Sequence, residues 1–182
     1  MKVHGIILAA GFSSRMGRTK ALLDYQGETF VDRVRRTLRP YCDKVFVVGA
    51  PGAEFADVVN PDPARGMLSS LQCGLTALPA DTEGVFFTLV DLPAIEVSTV
   101  KLLAEASRQA RLVIPQFEGK NGHPVFVARG LFDEFLSADS TATPKTVIAR
   151  HAPEILYVNC ADPGIVRDAD TPAEYRELIR NV

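Results

Sequence analysis

At 182 residues, 47% of them hydrophobic, the chain has the length and apolar content of one compact domain, 1–182, that buries about 70% of its unfolded surface. Its three cysteines, Cys42, Cys73 and Cys160, lie far apart without a C-x-x-C pair, which argues against a disulfide framework or a cysteine zinc site and favours a reducing, cytoplasmic compartment. A formal net charge of −2 gives no electrostatic basis for nucleic-acid binding, and no stretch approaches the roughly 20 apolar residues of a membrane span, so the expected partner is a small molecule.

The apolar run Val3 to Ala9 predicts a first strand, since His4 and Gly5 interrupt it too early for a secretory leader. Helical spacing follows over Phe30 to Leu38, where Arg33, Arg35, Arg36 and Arg39 alternate with Val34 and Leu38 and are read as a solvated face, with a dimer contact as the alternative. Lys44 to Val48 predicts a strand, Met67 to Leu78 a helix, Val85 to Val90 a strand and Ser98 to Gln109 a helix. Leu112 to Ile114 and Val125 to Ala128 are strand-like runs separated by Gly119-Lys120-Asn121-Gly122, whose Asn-Gly pair favours a tight turn and an antiparallel pairing. Helices are predicted at Leu131 to Leu136 and Pro144 to Arg150, a strand at Ile155 to Val158, and a last helix at Pro172 to Ile179. Thr171 caps that helix and Glu174 forms the other half of a capping box. Short runs rich in Val, Ile and Phe alternating with helices define an α/β chain with a mixed, mainly parallel sheet covered on both faces.

The segment after the first strand, Leu8-Ala9-Ala10-Gly11-Phe12-Ser13-Ser14-Arg15-Met16-Gly17-Arg18-Thr19-Lys20, combines small residues with hydroxyls and cations. Ala10 and Gly11 let backbone N–H groups approach an anion, and Arg15 and Lys20 supply charge-assisted contacts to phosphate oxygens. A loop that follows a strand of an open parallel sheet lies at the carboxyl edge, where such sheets bind ligands. The glycine spacing fits neither the P-loop nor the dinucleotide fingerprint. Asp91 follows the apolar run Val85 to Val90, so a buried strand delivers a carboxylate to the same edge, a natural position for Mg2+, which takes one or two carboxylates plus waters and phosphates. As plain structure, Asp91 would be a turn former before Leu92-Pro93. His4, His123 and His151 are scattered without metal-ligand spacing.

The first loop closely resembles the L-A-A-G-x-S-x-R-M-G-x-x-K signature of the MobA-like nucleotidyltransferases, the molybdenum-cofactor cytidylyl- and guanylyltransferase type. Asn60-Pro61, Gly66-Met67, Ser70-Leu71, Val90-Asp91-Leu92-Pro93, Gly122-His123-Pro124 and Asp168-Ala169-Asp170-Thr171-Pro172 follow in family order. The resemblance implies a three-layer α/β/α, Rossmann-like sheet of the nucleotide-diphospho-sugar transferase type. It implies that Leu8, Ala9, Ala10 and Gly11 line the nucleotide with main-chain atoms, that Arg15 and Lys20 hold its phosphates, and that Asn60 and Ser70 contact it. Asp91 would bind Mg2+ with Asp168 as second ligand and Asp170 in reserve. His123 is either an acceptor contact or a strand-start residue.

Because the cytidylyl branch carries L-A-A-G where the guanylyl branch carries L-A-G-G, the resemblance leans towards CTP. The implied reaction is Mg2+-dependent transfer of CMP from CTP to a phosphorylated acceptor of the molybdopterin type, with release of pyrophosphate and with a molybdoenzyme as client. An in-line displacement of this kind needs no protein nucleophile. Ser140 to Lys145 departs from the glycine- and arginine-bearing stretch of relatives, which leaves the acceptor open. Val90 and Leu92 replace the Gly and Met of a G-D-M-P motif while the carboxylate stays. The alternatives are a sugar- or alditol-phosphate nucleotidyltransferase and a non-catalytic nucleotide- or cofactor-binding accessory protein.

Overall fold

Strands form where apolar residues run uninterrupted, because a sheet covered on both faces buries every side chain of its central strands. The computed structural model describes residues 1–11, 19–139 and 141–180. In chain order the strands are β1 (Val3–Leu8), β2 (Asp24–Tyr25), β3 (Glu28–Thr29), β4 (Lys44–Gly49), β5 (Val58–Val59), β6 (Gly84–Leu89), β7 (Leu112–Phe117), β8 (Lys120–Asn121), β9 (Val125–Ala128) and β10 (Ile155–Asn159). The α-helices are α1 (Phe30–Leu38), α2 (Met67–Thr76), α3 (Val97–Ala106), α4 (Phe132–Leu136), α5 (Pro144–Ala149) and α6 (Pro172–Arg180). The main sheet has the order β10-β7-β9-β6-β1-β4-β5, with β8 paired to β7, and β2-β3 is a separate hairpin.

β1 is parallel to β4 and β6, and β10 to β7, whereas β9 runs antiparallel to both β6 and β7. The sheet is therefore mixed. Along the central strands alternate residues face opposite layers. Ile7, Val47, Phe86 and Phe126 pack with Phe30, Val34, Leu38, Val100, Leu103 and Leu178 from α1, α3 and α6. Ile6, Leu8, Phe46, Val48, Val85, Phe87 and Val127 pack with Leu68, Leu71, Leu75, Phe132, Phe135 and Val147 from α2, α4 and α5. Sidedness follows from the period of two along a strand, and burying each large apolar side chain contributes about 1.5–3 kcal/mol.

Three sequence expectations need adjustment. The tight turn lies at Glu118-Gly119, whose φ values of 49° and 76° suit a two-residue hairpin between β7 and β8, rather than at Asn121-Gly122. Gly122 instead packs under the chain: a Cβ there would sit 2.6 Å from the Ile165 carbonyl oxygen. The second adjustment concerns the two-residue strands β2, β3, β5 and β8, too short for periodicity to reveal. The third is an addition: the arginine face is solvated as expected, with Arg36 and Arg39 exposed, and three of its arginines also make contacts. Arg35 pairs with Asp57 at 3.0 Å and Arg36 with Glu28 at 2.9 Å, while Arg33 donates to the Pro93 carbonyl at 3.3 Å and lies over the Tyr25 ring. Among the described residues no helix is long and apolar enough to cross a membrane.

The α6 cap forms as its residues predict. The Glu174 carboxylate accepts from the backbone N–H of Thr171 at 2.7 Å and of Asp170 at 3.0 Å, and Thr171 Oγ1 accepts from Glu174 N–H at 3.3 Å. In the same end of the molecule, the Tyr175 hydroxyl donates to the Asp24 carbonyl at 2.8 Å, and Phe30 stands edge-on to both Tyr25 and Tyr175. These contacts fasten α6, α1 and the β2-β3 hairpin to one another beside the carboxyl edge of the sheet.

Candidate active site

Parallel pairing puts Leu8 of β1 opposite Leu89 of β6, so the two chains leave the sheet side by side. The Val90 N–H then bonds the Leu8 carbonyl at 3.1 Å, and the Ala9 N–H bonds Val48 at 2.8 Å. Ala9 to Gly11 and the Asp91 segment then border a cleft of about 390 Å3. Leu8, Ala9, Ala10 and Gly11 form one wall, Leu89, Val90 and Asp91 another, and Pro63, Gly66, Met67 and Ser70 at the start of α2 a third; Lys20, Ala21 and Asp170 complete it. Gly66 holds φ at 91°, a conformation strained for other residues, and no side chain caps α2.

Lys20 begins a single 3-10 turn, Lys20–Leu22, anchored by buried Ala21 and Leu23. Its Nζ lies 2.8 Å from Asp91 Oδ2 and also bonds Asp170 Oδ1. Burial alone would lower the Lys20 pKa, but the hydrogen bonds and charges of Asp170 and Asp91 overcome it and hold the ammonium above the ordinary lysine value. Among the described residues, Asp91 Oδ1 is buried with no hydrogen-bond partner. Asp170 is set between Ala169, which is fully buried, and the capping box of α6, so its carboxylate is delivered from a fixed backbone.

The sequence-derived site residues are placed unequally. Leu8, Ala9, Ala10, Gly11, Lys20, Ser70 and Asp91 share the cleft. Arg15 lies outside the described residues. Asp168, expected as second metal ligand, is exposed and absent from the cleft lining, whereas Asp170, held in reserve, lines it, its backbone N–H tied to the Glu174 carboxylate at the start of α6. Asp168 still feels the cleft: desolvation, then the charges of Asp91 and Asp170, push its carboxyl above the usual range.

Asn60, expected to touch nucleotide, is 2% exposed and fully occupied within the protein. Its amide donates to Ser69 Oγ at 2.9 Å and Ser70 Oγ at 3.0 Å, and its carbonyl accepts from Asp62 N–H at 3.0 Å. Asn60 therefore sets the hydroxyls of α2 rather than facing the cleft. His123 stands behind β6, Nδ1 3.4 Å from the Phe87 carbonyl and edge-on to the Phe87 ring, outside the cleft lining. Burial pushes its imidazole below the usual value, against the pull of the Phe87 carbonyl and the Asp91 charge.

Gly66, Met67 and Val90 belong to the sequence motifs but were given no place at the cleft, and Ala21, Pro63 and Leu89 carry no motif signal. The uncapped start of α2 was the available signal for the first two: no Ser, Thr, Asp or Asn immediately precedes Met67.

Among the described residues no group of three or more His, Cys, Asp and Glu is placed to hold a metal ion. The Asp91 and Asp170 carboxylates nevertheless match the donor set of Mg2+, a hard ion that takes few carboxylates and completes its shell from waters and phosphates, and Asp91 Oδ1 has no hydrogen-bond partner among the described residues.

The description "MobA-like NTP transferase domain" matches residues 5–155. The chain is 30% identical to a nicotine blue oxidoreductase of Paenarthrobacter nicotinovorans, over 97% of this chain and 96% of that one. It is 25% identical to the molybdenum cofactor cytidylyltransferase of Escherichia coli K12, over 93% and 92% of the two chains. Among solved structures, Rv0371c from Mycobacterium tuberculosis H37Rv in complex with manganese superposes with a TM-score of 0.77 at 22% identity, over 100% of both chains.

Proposed function

From the premise that the chain belongs to the MobA-like NTP transferase family, we propose that it transfers CMP from CTP to the phosphate of a molybdopterin-type acceptor in the cytoplasm, with Mg2+ and release of pyrophosphate. The observation that carries the reading is the convergence of Lys20, Asp91 and Asp170 in the cleft beside the main chain of Ala9 to Gly11. A cation for phosphate oxygens, carboxylates for a hard metal and a close-approach backbone are the parts that nucleotidyl transfer requires, because catalysis must neutralise charge and align the acceptor oxygen with the α-phosphorus.

The residues divide the work. Ala9, Ala10 and Gly11 offer backbone contacts to the nucleotide, Ser70 offers a hydroxyl set by Asn60, and Lys20 moves onto the phosphates, with Arg15 assigned the same task. Asp91 and Asp170 would hold Mg2+, with Asp168 as an outlying carboxylate that adds to the negative field. When bound, Mg2+ supplies Lewis-acid neutralisation of the phosphate charge. The manganese complex of Rv0371c supports a divalent ion in this fold. Ala10 in the first loop and the likeness to the cytidylyltransferase support CTP. His123, behind β6 and close enough to sense Asp91, is proposed to border the acceptor.

The test is pyrophosphate release from CTP, GTP, ATP and UTP with molybdopterin-type, sugar-phosphate and alditol-phosphate acceptors, with and without Mg2+. The reading requires turnover with CTP that needs metal and collapses in Asp91→Asn while cooperative unfolding persists. Full activity of Asp91→Asn would dismiss the transferase assignment. The 30% identity with a nicotine blue oxidoreductase favours one second reading, in which the cleft serves an oxidoreductase; transfer of electrons between nicotine blue and an added redox partner, without pyrophosphate release, would identify it.

A further inference from the structure

The proposed carboxylates already hold a cation that belongs to the chain. Lys20 Nζ bonds both Asp91 Oδ2 and Asp170 Oδ1, and the three side chains are only 13%, 14% and 31% exposed. Building on the proposed function, we infer that Lys20 is the resident counter-ion of the metal site: its ammonium holds the two carboxylates until nucleotide phosphates draw it away, and only then does a divalent ion bind there tightly.

The argument rests on which partners are fixed. Asp91 follows directly from β6, whose neighbour Val90 is bonded to Leu8, and Asp170 is pinned by buried Ala169 and the Glu174 cap. Neither carboxylate moves without disturbing the sheet edge or the start of α6. Lys20 ends a flexible four-carbon stem, so it is the member able to swing. The wall it would swing towards, Ala9 to Gly11, belongs to the same cleft.

An ammonium and a dication cannot both sit on Asp91 Oδ2 and Asp170 Oδ1, because metal–oxygen contacts of about 2.0–2.1 Å would bring the two positive centres into mutual repulsion. Exchanging them leaves every charge paired: the lysine passes to a polyanion, and the carboxylates pass to a stronger cation. Asp91 Oδ1, buried and without a hydrogen-bond partner among the described residues, leaves acceptor capacity on the same carboxylate. Nucleotide and metal affinities are thereby coupled through one side chain, and the coupling acts equally in both directions.

The test measures Mn2+ binding, by electron paramagnetic resonance of the free ion, to the whole chain in the absence of nucleotide. The chains compared are the wild type, Lys20→Gln, Lys20→Arg, and Lys20→Gln combined with Asp91→Asn. Lys20→Met keeps the stem and substitutes for Lys20→Gln if that variant fails to unfold cooperatively. The inference expects Lys20→Gln to bind Mn2+ roughly tenfold more tightly than wild type, Lys20→Arg to stay as weak as wild type, and the double variant to lose the gain. Equal Mn2+ affinity in wild type and Lys20→Gln overturns the inference. Pyrophosphate release by the wild type, measured alongside, then separates two failures: if it is present only the role of Lys20 falls, and if it is absent the transferase reading falls with it.

Discussion

Asn60→Ala separates a scaffold role from a ligand role. The Asn60 side chain makes hydrogen bonds to Ser69 Oγ, Ser70 Oγ and the Asp62 N–H, at 2.9, 3.0 and 3.0 Å, in a site where it is 2% exposed. A typical intramolecular hydrogen bond contributes about 1 kcal/mol net, so truncation removes roughly 3 kcal/mol, before any cavity term. For a chain of this size each kcal/mol shifts Tm by about 2–4 °C, which gives a fall of roughly 6–12 °C. Ser69 keeps a second anchor through the Gly66 carbonyl at 2.8 Å, so α2 should survive while the Ser70 hydroxyl loses its orientation. The expected outcome is a large stability loss with only a modest weakening of nucleotide binding, read by urea and thermal unfolding and by calorimetric titration with CTP. An unchanged Tm together with abolished CTP binding would refute the reasoning and put Asn60 on the ligand.

Gly122→Ala is expected to destabilise by about 1–3 kcal/mol in urea unfolding, because the added Cβ meets the Ile165 backbone carbonyl at 2.6 Å and backbone cannot rotate aside; a neutral result would show that this crossing is loose. Burial pushes the Cys42 thiol up to about 12, so Cys42 should resist a thiol-specific reagent at pH 8 in the native chain and label only on unfolding, while half-buried Cys73 reacts first. His151 bridges Glu154 at 2.9 Å and Glu134 at 2.8 Å, and these contacts raise its pKa above the unfolded value of about 6.5. Such a group contributes stability that is fully present below about pH 6.5 and is lost as pH rises through the raised folded value. Replacing His151 with Gln should flatten that slope as pH rises above about 6.5 in denaturant titrations, and an identical slope would assign it to other groups.

The legible parts of the structure were those with local causes. The runs around Ile6-Ile7-Leu8 and Val85-Phe86-Phe87 are apolar throughout because both faces of β1 and β6 are covered, and that alone marks them as central strands. Thr171-Pro172 and Glu174 specify a helix start within four residues, and α6 begins there. The hairpin turn was misplaced because Asn121-Gly122 carries the stronger turn composition, while Glu118-Gly119 takes the turn geometry; pairing of Gln116 with Asn121 and Phe117 with Lys120 decided between them. Asn60 lies outside the cleft lining for a related reason. A polar residue in a loop looks available to a ligand until the helix that uses its hydrogen bonds is in place.

By itself the sequence determined the α/β class, the strands that reach the carboxyl edge and the kinds of side chain delivered there, since these follow from periodicity, turn chemistry and the geometry of parallel pairing. Tertiary structure alone decided the partnerships. Lys20 meets Asp91 from 71 positions away and Asp170 from 150, and Asp170, tied to the Glu174 cap of α6, lines the cleft where Asp168 does not. Neither choice is encoded by spacing along the chain; each depends on how the sheet edge, α1 and the capped start of α6 pack against one another.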